Sequence, residues 1–247
     1  MAMKMGVLRT RHLIDVKPIE ALREIRLAGG TLTIGAGVTH WVLERDRTVA
    51  GAIPAFSEME HNVANVRVRA AGTLGGNIAF AEPHADPPTL LAALGARVVL
   101  EGSSGRRALA VDEFITGMYQ TALGSDEVLV AVEIPVPARA TRVAYTKFQI
   151  LERPSVGVAI VASLREGRFA DAPTVVVGAA DEMPRRADTR DLAGADARAA
   201  DTAHALGAAA QRAVEPVGDL AGSAEYKRHL VGVFARRTLA SLVAQAA

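Results

Sequence analysis

The sequence predicts an α+β fold in two parts, and three observations carry that prediction. Apolar and polar residues alternate in short runs that read as strands, some joined by tight glycine turns. Helical stretches do not follow these strands in strict βαβ alternation, which argues against a doubly wound parallel sheet. The texture also changes across Pro135–Arg142: three strand candidates follow in succession, and the final stretch turns alanine-rich and helical.

Taken in order, "HLIDV" (His12–Val16) reads as a short buried strand. "ALREIRLAGGTLTIGAG" (Ala21–Gly37) alternates on both sides of Gly29-Gly30, the pattern of a β-hairpin. Thr39 is placed to N-cap a short helix, "HWVLERD", and a second helix is expected around Ala55–Val63. In "AEPHADPPTLLAALGARVVLEG", Asp86 suits an N-cap, Pro87 and Pro88 the first turn, and Gly95 the C-terminal stop. "RVVLE" and "RRALAV" read as paired strands, and "EVLVAVEIPVP" (Glu127–Pro137) as a strand closed by prolines. Beyond the junction, "VAYTKFQI", "VGVAIVASL" and "TVVVGAA" are strands with a turn at Glu166–Gly167. "DARAADTAHALGAAAQRAV" has high helix propensity. The terminal "SAEYKRHLVGVFARRTLASLVAQA" places Tyr226, Leu230, Val233 and Phe234 on one helical face.

Composition narrows function. The 247 residues are 50% hydrophobic but 4% aromatic, so Val, Leu, Ile and Ala must build the core. The formal net charge is +1 with no Lys/Arg-dense segment, which lends no support to a nucleic-acid or anionic-membrane partner. No uncharged apolar run approaches the ~18 residues of a transmembrane helix. "MAMKMGVLRTRHLIDV" has no long apolar centre of a secretory signal, so a cytoplasmic protein is expected. Cysteine is absent, which excludes disulfides, thiol nucleophiles and any iron–sulfur cluster held by this chain's own thiolates. The histidines (His12, His40, His61, His84, His204, His229) form no H-x-x-x-H or H-E-x-x-H pair, so no metal ligands are assigned. Redox metals, if involved, belong to another subunit.

One stretch invites chemistry. "AAGTLGGNIA" (Ala70–Ala79) holds three glycines in five residues. Such a loop can aim successive N–H groups at phosphate oxygens with no side chain in the way, with Thr73 and Asn77 as extra donors. It can equally be a tight structural turn. It is not a P-loop, and without a strand before it or a helix opening cleanly on it, it is not the Rossmann fingerprint. Asp86 can cap its helix or hold a cofactor hydroxyl. Lys147, on the "YTKFQI" strand among Ala144, Thr146 and Phe148, is a snorkelling edge residue or a fixed cation beside a cofactor. His40 and His84 read as loop or cap histidines, and Asp126-Glu127 as a solvated turn. No Ser/His/Asp arrangement or G-x-S-x-G elbow is present.

"VRAAGTLGGNIAFAEPHADPPTLLAALGARVVL" resembles the second flavin-binding motif of the FAD-binding, or medium, subunits of the molybdenum hydroxylase family, which spans aerobic carbon monoxide dehydrogenases and xanthine dehydrogenase-like enzymes. "MKMGVLRTRHLIDV", "TLTIGAGVTH", "DEFITGMYQTALGSDEVLVAVEIP", "YTKF" and "GSAEYKRHLVGVFARRTL" are similar to that family in order and spacing, so the resemblance covers essentially the whole chain. It implies a vanillyl-alcohol-oxidase-type FAD-binding domain over residues 1–138. Over residues 139–247 it implies a small α+β flavoprotein domain with a three-stranded sheet and helices.

It implies FAD as cofactor, and a role in passing electrons from [2Fe–2S] clusters on a partner chain to an external acceptor. The implied partners are a large molybdopterin-containing subunit and a small [2Fe–2S] subunit, in a dimer of heterotrimers, with this chain not catalytically complete alone. By resemblance, Thr73, Leu74, Gly75, Gly76 and Asn77 match the loop that holds the FAD pyrophosphate. Asp86 matches an FAD-contacting aspartate, Leu129 a contact near the flavin, and Lys147 a lysine near the isoalloxazine, where a cation favours the reduced, anionic ring. No catalytic residue is assigned. Two departures stand out. Family members carry an upstream "AGG"-type loop that forms the other half of the cradle. This sequence starts after it, and Ala28-Gly29-Gly30 lies in a hairpin instead, so an N-terminally truncated FAD domain is expected. "LERPSVG" (Leu151–Gly157) stands where many relatives have R-x-x-D-F/I-A. The alternative reading is a flavin-free structural or assembly subunit of such a complex.

Overall fold

The computed structural model describes residue 6, residues 10–150 and residues 152–245. The opening of the "MKMGVLRTRHLIDV" match, Leu151 of "LERPSVG" and residues 246–247 lie outside the described residues.

The fold is α+β, with every strand pairing antiparallel. β1 (Ile25–Ala28) and β2 (Thr31–Gly35) form the expected hairpin, turning through Gly29 and Gly30 at φ 56° and 75°. Two successive positive φ angles give the turn whose twist matches its strands, and glycine adopts them without Cβ strain. β2 continues onto β7 (Glu127–Pro135), then β3 (Arg97–Gly102) and β4 (Gly105–Ala110), in the order β1-β2-β7-β3-β4.

Between β2 and β3 the chain winds through short helices: α1 (His40–Leu43), α2 (Arg47–Ala52), α3 (Pro54–His61), α4 (Val66–Ala71), α5 (Leu74–Phe80) and α6 (Pro87–Ala93). Side chains of Thr39, Asp46, Asn65 and Thr73 cap α1, α2, α4 and α5 by accepting backbone N–H bonds. Such caps matter because helices this short are unstable in isolation. After β4 come α7 (Val111–Phe114) and the small hairpin of β5 (Ile115–Gly117) and β6 (Gln120–Thr121).

A second sheet has three long strands, β8 (Thr141–Gln149), β9 (Pro154–Arg165) and β11 (Thr174–Gly178), as the three strand candidates required. Two-residue strands, β10 (Arg168–Phe169) and β12 (Arg185–Arg186), extend it beyond the expected three. α8 (Ala200–Arg212) and α9 (Ala224–Ala244) cover one face. α6 packs on the other, buried at all seven positions and in contact with both β9 and β11. One apolar core therefore runs from the first sheet through α6 to Val143, Ala159 and Val176 of the second sheet.

Two local expectations fail. His12–Val16 is exposed coil, with Leu13 75% and Ile14 82% accessible. A strand needs a ladder partner, and nothing among the described residues pairs with this segment. On α9 the buried stripe is Lys227, Leu230, Val231, Phe234, Ala235, Thr238, Leu239 and Leu242, while Tyr226 is exposed and Val233 only half-buried. The helix lies against both α8 and the β8–β9 pair, so its covered stripe is wider and rotated from the simple amphipathic face. Among the described residues, no helix is long and apolar enough to cross a membrane.

Candidate functional site

The glycine-rich stretch is the turn between α4 and α5, and α5 does open on it, contrary to expectation. Its seven residues, LGGNIAF, include two glycines, so local propensity alone does not make a helix. Tertiary bonds do. Leu74 N–H donates to the Val38 carbonyl and Gly75 N–H to the Ala36 carbonyl, each at 3.0 Å. Thr73 Oγ1 accepts the Gly76 N–H at 3.0 Å. These amides therefore point at protein acceptors, and the expectation that the loop's successive N–H groups converge on a phosphate is corrected. Gly75 is glycine because a Cβ there would lie within 2.8 Å of the Ala36 Cα and carbonyl oxygen. Gly76, by contrast, is exposed.

The loop borders a cleft of about 870 Å³, a size in the range of sites that hold small molecules and cofactors. Of the eight expected residues, Thr73, Gly75, Gly76, Asn77, Asp86 and Leu129 line it. Leu74 does not: it is fully buried in the core beneath. Leu129 reaches the cleft through a bulge in β7, where pairing with β3 skips from Val99↔Ala131 to Leu100↔Leu129. The Asn77 side-chain oxygen is buried with no hydrogen-bond partner among the described residues, an atom that a ligand donor would satisfy.

Asp86 sits at the N-cap position of α6 but caps nothing. Its own φ and ψ are helical, and its side chain makes no bond to the helix N-terminus. The carboxylate instead accepts from Tyr145 Oη at 2.7 Å and from Lys147 Nζ at 3.1 Å, and Lys147 also donates to the Asn62 carbonyl at 2.7 Å. Asp86 and Lys147 side chains are 3% and 11% exposed. Burial holds the Asp86 carboxyl above its ordinary value, with Lys147 and Tyr145 opposing that rise, and burial beside Asp86 pushes the Tyr145 phenol well up. Lys147 does not line the cleft; its ammonium is bonded to Asp86, which does.

Some residues on this site had no signal in the sequence. His40 lines the cleft, and its Nδ1 lies 2.6 Å from Glu60 Oε2, both side chains essentially inaccessible. The pair is twenty positions apart with no motif joining them. At the rim, Glu82 accepts from Tyr119 Oη at 2.8 Å and Arg153 Nη1 at 3.2 Å, with His84 Nδ1 at 3.2 Å. His84 is a loop histidine, as expected, and also lines the cleft. Among the described residues, no group of three His, Cys, Asp or Glu is arranged to hold a metal.

Glu127 also lines the cleft and is not a solvated turn residue. Arg107 clamps it through Nε at 2.6 Å and Nη2 at 2.7 Å, and the Gly124 N–H adds a third bond at 2.6 Å. These bonds lower its carboxyl from 4.5 to about 2, Arg107 contributing most. A lowered folded value means the stabilising contribution is present above 4.5 and lost as pH falls through about 2. In carboxyl-carbon NMR titrations, Glu127 is expected to titrate near 2, and Arg107→Ala to return it toward 4.5. An unshifted wild-type titration would refute the clamp.

Comparison with known proteins agrees with this architecture. The family profile described as "FAD binding domain in molybdopterin dehydrogenase" matches residues 1–137. The profile described as "CO dehydrogenase flavoprotein C-terminal domain" matches residues 151–242. The chain is 33% identical over 239 residues to the carbon monoxide dehydrogenase medium chain of Hydrogenophaga pseudoflava, covering 96% of this chain and 83% of that one. It is 28% identical over 239 residues to the nicotine 6-hydroxylase medium subunit of Paenarthrobacter nicotinovorans, covering 96% and 84%. Among solved structures, quinoline 2-oxidoreductase from Pseudomonas putida 86 superposes with a TM-score of 0.94 at 30% identity, over 99% of this chain and 86% of that one.

Proposed function

The chain belongs to the family of FAD-binding subunits of molybdopterin dehydrogenases, and from that premise we propose that it is the electron-transfer subunit of a heteromeric molybdenum hydroxylase. It is a flavoprotein subunit of an oxidoreductase, with FAD as its cofactor. FAD supplies redox chemistry that can link one-electron carriers to a two-electron acceptor. In this reading the chain stands between [2Fe–2S] clusters on a small subunit and an external acceptor, while a large molybdopterin subunit oxidises the substrate. The assembly is a cytoplasmic dimer of heterotrimers. The first domain, residues 1–138, has the vanillyl-alcohol-oxidase-type architecture, and residues 139–247 form the second.

The observation that carries the reading is the gathering of Thr73, Gly76, Asn77, Asp86 and Leu129 on one cleft of cofactor size, with the buried Asn77 oxygen awaiting a donor. Thr73, Gly76 and Asn77 form the pyrophosphate side, where the Thr73 hydroxyl and the Asn77 amide nitrogen are the donors and the Asn77 oxygen accepts from a cofactor hydroxyl, and Gly75 keeps that side close to Ala36. Leu129 offers an apolar contact to the flavin. Asp86, steadied by Lys147 and Tyr145, orients the cofactor's hydroxyl groups and sets the charge beneath it. The test is co-purification. The complex expressed with its large and small subunits is expected to be yellow, to bleach when substrate is added anaerobically, and to release FAD on denaturation. An intact but colourless complex would overturn the proposal in favour of a flavin-free structural subunit.

A further inference from the structure

We propose that His40, held by Glu60, is an additional cofactor-binding residue whose Nε2–H donates to an anionic oxygen of the FAD diphosphate. The inference rests on the FAD reading above and adds to it a residue pair from outside the glycine-rich motif.

The first reason is a shortage of donors. The N–H groups of Leu74, Gly75 and Gly76 are engaged by Val38, Ala36 and Thr73. The loop therefore cannot meet a diphosphate through those amides, which leaves the neutral Thr73 hydroxyl and Asn77 amide and calls for a further donor. The cleft lining makes the need sharper. Asp15, Glu82, Asp86, Glu127 and Glu152 line it against Lys17 and Arg153. Arg153 already faces Glu82, and His84 faces Glu82 and Asp219. Two more negative charges in such surroundings need a well-placed donor, because hydrogen bonds to charged groups are among the strongest available.

His40 is placed to be that donor. Its backbone N–H bonds the Gly72 carbonyl, immediately before the loop. The Cδ2–Nε2 edge of its ring packs against Gly72, where an added Cβ would meet Cδ2 at 3.3 Å and Nε2 at 3.7 Å. Nδ1 is turned the other way, to Glu60 Oε2. The remaining Glu60 oxygen has no hydrogen-bond partner among the described residues. Beyond His40, the charged groups nearest in effect on Glu60 are Asp86 and Arg69.

Burial settles which proton states matter. A carboxylate with a neutral imidazole would leave a net negative charge in a fully buried place, which is costly. Either neutral alternative, a carboxylic acid donating to Nδ1 or a carboxylate facing an imidazolium, puts a proton on Nε2. Burial does push the Glu60 carboxyl up. Glu60 thus acts as a positioning residue that keeps Nε2 a donor toward the cleft.

The experiment titrates the purified full chain with FAD, with ADP as a diphosphate lacking the flavin, and with riboflavin as a flavin lacking phosphate, by calorimetry. His40→Leu is expected to weaken FAD and ADP alike by about tenfold or more, the range of a lost bond to a charged group. Riboflavin should bind it as it binds the wild type. Glu60→Leu should reproduce the same selective loss, whereas Glu60→Gln, whose amide can donate to Nδ1, should restore affinity. If His40→Leu does not fold by circular dichroism, the two Glu60 variants decide. Unchanged FAD and ADP affinity in the variants overturns the proposal, as does an equal loss for all three ligands, which would mark a packing role. A wild-type chain that binds neither FAD nor ADP overturns the FAD reading itself, and this inference with it.

Discussion

Replacing Asp86 with alanine is expected to lower the unfolding free energy by about 3–5 kcal/mol, the range for removing one partner of a buried ion pair. Tyr145 Oη and Lys147 Nζ both lose their carboxylate acceptor, and Tyr145 has no other side-chain acceptor among the bonds described. Lys147 keeps the Asn62 carbonyl, which is too little for an ammonium only 11% exposed. Asp86→Asn should recover only part of this loss, because its amide oxygen still accepts from Tyr145 and the isosteric side chain leaves no cavity, while Lys147 still loses its counter-ion. The sign of the pH dependence separates the two effects. Burial raises the Asp86 carboxyl above its ordinary 3.8, so its contribution is fully present below that value and declines as pH rises through the folded value. The advantage of wild type over Asp86→Asn is therefore expected to be greatest in acid and to shrink toward neutrality. Urea unfolding of the three proteins across that range checks it; an advantage that grows with pH would mean that Lys147 outweighs burial. Flavin retention should fall for alanine more than for asparagine, since the cleft keeps its polar floor in the latter.

Much of this site was legible because its elements are encoded locally. Gly29-Gly30 with alternation on both sides specifies a hairpin, and Thr39 followed by His40-Trp41-Val42 specifies a cap, without reference to the rest of the chain. Lys147 stands out among Ala144, Thr146 and Phe148 on its strand, and the structure leaves it partly buried. What escaped depended on distant partners. α5 exists because carbonyls of Ala36 and Val38 receive its first amides, and no property of LGGNIAF announces that. His12–Val16 has the residues of a strand but no ladder to join. The residues around Asp86 allow a cap or a site role; the cap does not form, because Tyr145 and Lys147, some sixty positions on, draw the carboxylate away from the helix. His40 and Glu60 meet because α1 and α3 pack together, which periodicity cannot foresee.

The two central glycines of the loop are expected to answer differently to substitution, although in sequence they are indistinguishable. Gly75→Val should cost about 1–3 kcal/mol, the usual penalty for overpacking a tight contact. The new side chain must displace the Ala36 backbone, which cannot rotate aside as a flexible side chain would, and the Gly75 N–H bond to the Ala36 carbonyl goes with it. For a chain of this size that corresponds to a drop in Tm of roughly 2–4 °C per kcal/mol. Thr73 and Asn77 shift with the helix start, so flavin is lost as a consequence of the structural change. Gly76→Ala meets only the Thr73 hydroxyl, at 3.0 Å, and gains the helix propensity of alanine, so its stability should stay within about 1 kcal/mol of wild type. Its methyl group, however, occupies the cleft face of the loop, and flavin affinity should fall while the melting temperature holds. Thermal melts with flavin content measured on the same samples distinguish the cases. If Gly76→Ala keeps full flavin while Gly75→Val loses both, the loop serves packing alone, and the ligand is held by His40, Asp86 and the rest of the cleft.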